Sequence, residues 1–177
     1  MKNKKFDMRK MDKKEKDCCF TDGNNWFRYR AGAIIIEDGY ILFVGSESSN
    51  YLYTVGGGVH MGETAEDCVK REVYEETGRK YEIDRLAAVC ENFFKGNGGI
   101  IDSLDCHCLE LYFVMKSKRI KDLKGNSYNA DGDKEELKWI PIDKIDEYNI
   151  KPSFLKEKIK EIIESNTILH IVSDKDR

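Results

Sequence analysis

Three glutamates, Glu72, Glu75 and Glu76, stand within five residues of one another behind the glycine run Gly56-Gly57-Gly58, in the stretch GGGVHMGETAEDCVKREVYEETG. No other feature of the chain restricts its fold as much. The stretch reads as a turn followed by a helix over Ala65 to Thr77: Thr64 is placed to cap it, Asp67 follows three residues later, and Gly78 is a suitable stop. At roughly 100° per residue the three glutamates fall within an arc of about 100°, the width usual for an apolar face. Ala65, Cys68, Val69 and Val73 lie in or beside that arc, with Glu66, Asp67, Lys70, Tyr74 and Thr77 opposite. An acidic run on a helix is ordinarily a solvated face. This one is set beside the side that packs.

Such a placement is unfavourable unless something offsets it. Like charges at i, i+4 cost about 0.2–0.5 kcal/mol, and partial burial adds to that. Arg71 can pair with one carboxylate but cannot neutralise three. Hard divalent cations can, since Mg²⁺ and Mn²⁺ prefer carboxylate and carbonyl oxygens and Mg²⁺ shares its remaining positions with water and substrate phosphates. Gly56, Gly57 and Gly58 allow close approach of the backbone and offer carbonyls or amides to the same place. The residues point to a metal–phosphate site.

The rest of the chain supplies a frame. With 177 residues, 40% hydrophobic and 36% charged, it is long enough for one domain with a full core. The net charge of −3 gives no broad basic field, so no nucleic-acid partner is expected. The longest apolar run, AGAIII, is strand-sized, so no membrane span is expected. Residues 1–22 read as a charged N-terminal tail, mobile or marginally helical, without the apolar stretch of a secretory signal; residues 23–177 read as a single domain, and a cytoplasmic location is the default. None of the six cysteines forms a C-x-x-C pair, and Cys106 and Cys108 share one face of a strand, as buried free thiols do.

Asp38-Gly39 marks a hairpin between FRYRAGAIII and YILFVGS, and YLYTV leads as a short strand into the glycine turn. RLAAVCENFF, HCLELYFVMKS and ELKWIPI are further strands, SFLKEKIKEIIES is an amphipathic helix, and TILHIV is a terminal strand. The loop holding KGNGG is placed to cover a ligand or to serve as a plain connection. This order suggests an α/β sandwich.

Gly57, Glu63 and the run Arg71-Glu72-Val73-Tyr74-Glu75-Glu76-Thr77-Gly78 resemble the Nudix box, G-x5-E-x7-R-E-U-x-E-E-x-G-U, with every fixed letter present. Arg79 departs from the aliphatic residue that closes the box, Val55 stands where a proline often precedes the glycines, and His60 stands where an acid is common. The resemblance implies an α/β/α sandwich around a mixed β-sheet and hydrolysis of a diphosphate linkage in a nucleoside diphosphate derivative: a nucleoside triphosphate, a nucleotide sugar or a dinucleotide. It implies Mg²⁺ or Mn²⁺ as cofactor, with Gly56, Glu72, Glu75 and Glu76 as ligands, and Glu63 and Arg71 as a pair that orients the glutamates. The oligomeric state is not readable from the residues, and a homodimer is open by analogy with relatives alone.

The proton acceptor is open among Glu72 in the box and Glu135 or Glu136 in the acidic stretch before WIPI, of which Glu136 is carried with the catalytic set. Glu110 either reaches the site or is a paired buried acid. A flat nucleobase calls for an aromatic platform; Tyr51, Tyr53, Phe93 and Phe94 are near, and Tyr53 and Phe94 are placed with Gly57 and Gly58 as substrate contacts. Two other classes stay open: a nucleotide-sensing module, which would tend to lose box glutamates, and a prenyl-diphosphate isomerase of the same fold, which would need a reactive cysteine such as Cys68 or Cys90.

Overall fold

Alternating apolar residues that face two different layers dominate the middle of the chain, and they sort the strands into two mixed sheets. The computed structural model describes residues 16–46, 49–123, 125, 128 and 132–176. In chain order it contains β1 (Cys19–Asp22), β2 (Asn25–Ile34), β3 (Ile36–Glu37), β4 (Tyr40–Ser46), β5 (Leu52–Tyr53), β6 (Gly56–Gly58), α1 (Ala65–Thr77), β7 (Ile83–Lys95), β8 (Asp105–Met115), β9 (Glu135–Pro141), β10 (Ile150–Lys151), α2 (Phe154–Glu164) and β11 (Leu169–Asp176). Short 3-10 turns cover Gly99–Ile101 and Ile142–Glu147. One sheet runs β1-β2-β8-β7-β11, with β6 also on β2; the other runs β10-β5-β4-β3, with β9 also on β4. The α/β class expected from the sequence is what the chain adopts.

The run AGAIII is where the chain passes from one sheet to the other, at Ile35 between β2 and β3. The turn that follows has positive φ at both Asp38 and Gly39, the geometry that a two-residue hairpin of this sequence requires. α1 packs through Ala65, Cys68, Val69 and Val73 onto Ala31, Ala33, Leu42, Val44 and Phe113. α2 packs through Phe154, Leu155, Ile159 and Ile162 onto the opposite layer of Ile34, Ile41, Phe43 and Tyr112. Alternation along β2 and β4 thus feeds two cores, one under each helix.

Residues 16–22, assigned above to the charged tail, take part in the fold. β1 pairs antiparallel with β2, from Cys19 opposite Arg28 to Asp22 opposite Asn25. Just before it, the Cys18 N–H donates to the Val59 carbonyl and the Met61 N–H to the Lys16 carbonyl. The remainder of that tail, residues 1–15, lies outside the described residues.

Glu37 is fully buried beside the hairpin, where its sequence position suggests a solvated acid. Its carboxylate accepts from the Tyr81 hydroxyl, the Ser117 hydroxyl and the N–H groups of Lys118 and Arg119, tying β3 to the chain beyond β8. Removing the acceptor strands these donors. Glu37→Ala is expected to lower stability by about 2–4 kcal/mol, read by urea denaturation; a loss below about 0.5 kcal/mol would contradict this role.

Candidate active site

β6, α1, β5 and β9 meet at the gap between the two sheets, and the glycine turn brings backbone and helix into contact there. α1 begins and ends as its sequence dictates: the Thr64 side chain accepts from the Asp67 N–H, and Gly78 is left-handed at φ 68°. Gly56 has φ 141°, and a Cβ there would lie 2.2 Å from the Ala31 carbonyl oxygen. At Gly57 a Cβ would lie 2.1 Å from Glu72 Oε1, so the Glu72 carboxylate rests directly on the turn. Only glycine permits that approach.

Arg71 organises one side. Its Nε and Nη2 reach Glu63 Oε1 and Oε2 at 2.9 and 3.0 Å in a bidentate pair. Its Nη1 lies 2.6 Å from Glu72 Oε1 and 3.3 Å from Glu75 Oε2. Glu63 also accepts from the His60 N–H, and its carboxyl is held below the usual range, chiefly by Arg71. Glu72 goes the other way: burial raises it, and the contact with Arg71 does not cancel the rise.

Glu76 is the most demanding member. It is 7% exposed; Oε1 accepts from the Gly56 N–H at 3.0 Å, and Oε2 is buried with no partner among the described residues. Burial pushes its carboxyl up to about 8, with Glu135 and Glu72 adding to the rise and the Gly56 N–H and Arg30 opposing it. Arg30 donates to the Thr54 hydroxyl and to the carbonyls of Thr54 and Gly56. It is the member of the site that the sequence reading missed, and the available signal was a charge alternating with Gly32 and Ile34 just before the buried residues Ala31 to Ile34 of β2.

The structure brings Glu63, Arg71, Glu72, Glu75, Glu76, Gly56, Gly57 and Gly58 together. Glu75 is the outlier in exposure, at 54% of its side chain. Tyr53 joins them through its hydroxyl, which donates to Glu135 Oε1 at 2.5 Å. Glu136 does not. It points the other way along β9, toward Lys138 at 3.8 Å, because strand residues alternate and Glu135 shares its face with Leu137 and Trp139 over the α1 core. Phe94 also stands apart, on β7 in a cluster with Trp26, Cys106 and Cys108.

Glu110 is a paired buried acid, accepting from Tyr112 and from Asn92. Thr77, placed opposite the packing face by the wheel, is buried; its hydroxyl donates to the Val73 carbonyl and accepts from the Arg79 N–H. With Tyr81 in the core, it anchors the helix end in place of the missing aliphatic residue at 79. Cys68 and Cys90 are both buried, and burial pushes the Cys68 thiol up to about 12 and raises that of Cys90 further, so neither is a reactive thiolate.

The donor set, carboxylates and a backbone carbonyl, suits a hard divalent ion, and Glu76 Oε2 is a buried oxygen with no hydrogen-bond partner among the described residues. Among the described residues no three acidic, His or Cys side chains already converge as a metal cluster. The Arg71 guanidinium stands between Glu72 and Glu75.

The Glu76 shift has a stability consequence. The folded protein keeps this proton across a range, from 4.5 to about 8, where the unfolded chain has lost it. The folded state then binds more protons, so stability falls as pH rises through that window. In metal-free protein, the melting temperature of wild type is expected to fall with pH relative to that of Glu76→Gln, and Mg²⁺ to flatten the difference. Parallel curves without metal would contradict the shift.

An acidic helix packs behind a glycine turn at the gap of an α/β/α sandwich, and comparison with known proteins gives the family. The model of the NUDIX domain matches residues 26–162, and the chain belongs to that family. A MutT-like protein of Streptomyces ambofaciens is 38% identical over 66 residues, which cover 37% of this chain and 43% of that protein, so the match spans less than half of that relative. The MutT protein from Methanosarcina mazei Go1 is similar in structure with a TM-score of 0.59 and 20% identity, over 80% of this chain and 96% of that one. A UDP-X diphosphatase is similar with a TM-score of 0.56 and 21% identity, over 81% of this chain and 66% of that one. At such identities the two structures speak for the fold. No helix among the described residues is long and apolar enough to cross a membrane.

Proposed function

We propose that the protein is a divalent-metal-dependent pyrophosphohydrolase that cleaves the diphosphate linkage of a nucleoside diphosphate derivative. The observation that carries this reading is Glu76, a buried carboxylate with one oxygen held by the Gly56 N–H and the other unpartnered, beside Glu72 on the glycine turn. Glu72, Glu75 and Glu76 would hold an ion of the Mg²⁺ or Mn²⁺ type, with the Gly56 carbonyl as a further oxygen. When bound, such an ion neutralises diphosphate charge and makes a water more acidic.

The side chains supply the remaining parts. Glu63 holds Arg71, and Arg71 sets the positions of Glu72 and Glu75. Glu135, steadied by the Tyr53 hydroxyl and close enough to Glu76 to raise its carboxyl, is the better placed of the two strand glutamates to take a proton from an attacking water. Glu72 is the other candidate. That all box glutamates are present favours hydrolysis over nucleotide sensing, and the buried thiols disfavour isomerisation. The name of one structural neighbour, UDP-X diphosphatase, fits the same linkage.

The test is phosphate-product release from nucleotide sugars, dinucleotides and (oxidised) nucleoside triphosphates, with and without Mg²⁺. Mg²⁺-dependent cleavage of at least one class is expected. Glu135→Gln should then lower kcat about tenfold or more while Glu136→Gln stays within about twofold. No product from any class would end the hydrolase reading; equal effects of the two substitutions would end the role of Glu135.

A further inference from the structure

Gly56 is held by both of its backbone groups. Its N–H donates to Glu76 Oε1 at 3.0 Å, and its carbonyl accepts from Arg30 Nη2 at 3.2 Å. The same Nη2 donates to the Thr54 carbonyl at 2.8 Å, and Nη1 donates to the Thr54 hydroxyl at 3.2 Å. Thr54 is fully buried, so Arg30 satisfies acceptors that water does not reach. One guanidinium therefore ties the end of β5 to the start of the glycine turn, directly beside the carboxylate that the turn presents.

Strand register explains how a side chain of β2 gets there. Arg30 is paired with Gly58 of β6, and Gly32, two residues further on, with Gly56. The Arg30 side chain must lean along β2, over Gly32, to meet the Gly56 carbonyl. Gly32 leaves it room: a Cβ there would lie 2.9 Å from Arg30 Nη1 and 2.8 Å from Tyr112 Cε1. Tyr112 of β8 is level with Gly32 on the other side. The guanidinium thus fills the space above a glycine, between the β6 backbone and an aromatic ring. No other residue type at position 32 admits it without displacing something.

Charge alone gives no reason for an arginine here. A fixed cation beside Gly56 and Glu76 repels a divalent ion held by the same residues. Glu110 offsets part of that repulsion: it stands next to Arg30 in the register of β8, is buried, and accepts from the Tyr112 hydroxyl and the Asn92 side-chain amide. What the guanidinium supplies is geometry. Its planar fork grips one hydroxyl and two carbonyls at fixed angles, which an ammonium on a flexible stem does not.

We propose that Arg30 is a positioning residue for the ion site: it fixes the backbone of Gly56 and, through the Gly56 N–H, the carboxylate of Glu76. Gly32 is the gap that admits it, and Glu110 is its counter-charge. This rests on the pyrophosphohydrolase reading and adds the residue that holds the glycine turn in place against the acidic helix. Gly56 sits at φ 141°, in the region that only glycine visits freely, so its orientation depends on what its N–H and carbonyl are bonded to.

The test measures Mn²⁺ Kd by electron paramagnetic resonance for wild type, Arg30→Met and Arg30→Lys, and the hydrogen exchange of the Gly56 amide by NMR in the metal-free proteins. Charge and position predict opposite signs. Acting by charge alone, Arg30→Met would bind Mn²⁺ more tightly than wild type and Arg30→Lys equally well. Positioning predicts weaker binding in both, by about tenfold in Arg30→Met and about threefold or more in Arg30→Lys, which keeps the charge and loses the fork. It also predicts that, without metal, the Gly56 amide of either variant speeds up about tenfold more than the amides of β7 and β8 do, whereas a merely structural loss speeds all of them alike. Arg30→Lys keeps the test decisive should Arg30→Met fail to fold. Mn²⁺ binding by Arg30→Lys as tight as by wild type, or a Gly56 amide that speeds up no more than the core, would overturn the proposal. If wild type binds no Mn²⁺ and cleaves no diphosphate, the hydrolase reading falls instead, and the amide exchange still decides whether Arg30 fixes the turn.

Discussion

Glu76→Gln should lower kcat/KM by about a thousandfold or more while leaving the fold intact, a loss of about 4 kcal/mol in transition-state stabilisation. The size of the effect follows from what Glu76 alone contributes. It is the box glutamate with a buried oxygen that nothing among the described residues satisfies. Its other oxygen is fixed by the Gly56 N–H, a bond that the amide oxygen of Gln can still accept. The substitution therefore keeps the local geometry and removes the negative charge. Because a buried carboxyl raised to about 8 is unfavourable in the metal-free state, Glu76→Gln should also melt no lower than wild type without metal. Inactivity together with undiminished stability separates a functional carboxylate from a structural one. Activity within threefold of wild type would remove Glu76 from the chemistry.

Arg71→Ala should be costly in both respects. Arg71 joins Glu63, Glu72 and Glu75, and it donates through Nη2 to the Gly58 carbonyl. Glu63 and Glu72 are only 16% and 15% exposed at their side chains. Removing the guanidinium leaves two largely buried carboxylates facing each other without a cation, a change of about 3 kcal/mol in stability. Activity should fall about a hundredfold or more, because Glu72 loses the contact that fixes it on Gly57. Arg71→Lys is the informative partner. It keeps the charge and loses the fork that grips both oxygens of Glu63, so stability should recover in part and activity less. Paired urea titrations and kcat/KM for the two variants read this directly. Full activity in Arg71→Lys would show that charge alone suffices and that the bidentate geometry is incidental.

Much of the site was legible because it is local. α1 has its boundaries written in its sequence, by the hydroxyl of Thr64 and the left-handed Gly78, and helical periodicity was enough to show that Glu72 and Glu76 lie beside Val69 and Val73. The hairpin at Asp38-Gly39 was equally local. What escaped depends on contacts distant in sequence. AGAIII reads as one strand, and only packing reveals that the chain changes sheets at Ile35. Glu37 sits next to a turn and looks solvated, yet it is buried by donors from Tyr81 and residues 117–119. Glu135 and Glu136 are indistinguishable until the face of β9 is known, since a shift of one residue exchanges inside and outside. Phe94 was read as a substrate contact, as a flat nucleobase would want, whereas register puts it two rows from Gly58, beside Trp26.

Under the proposed function, a divalent cation would complete the coordination of these acidic side chains and let them tolerate one another. A Mn²⁺ titration followed by electron paramagnetic resonance, run on wild type and Glu76→Gln, addresses that dependence most directly. Saturable binding by wild type, weakened about tenfold or more in Glu76→Gln and competed by Mg²⁺, is the predicted result. Equal Mn²⁺ affinity in the two proteins, or none in wild type, would contradict it.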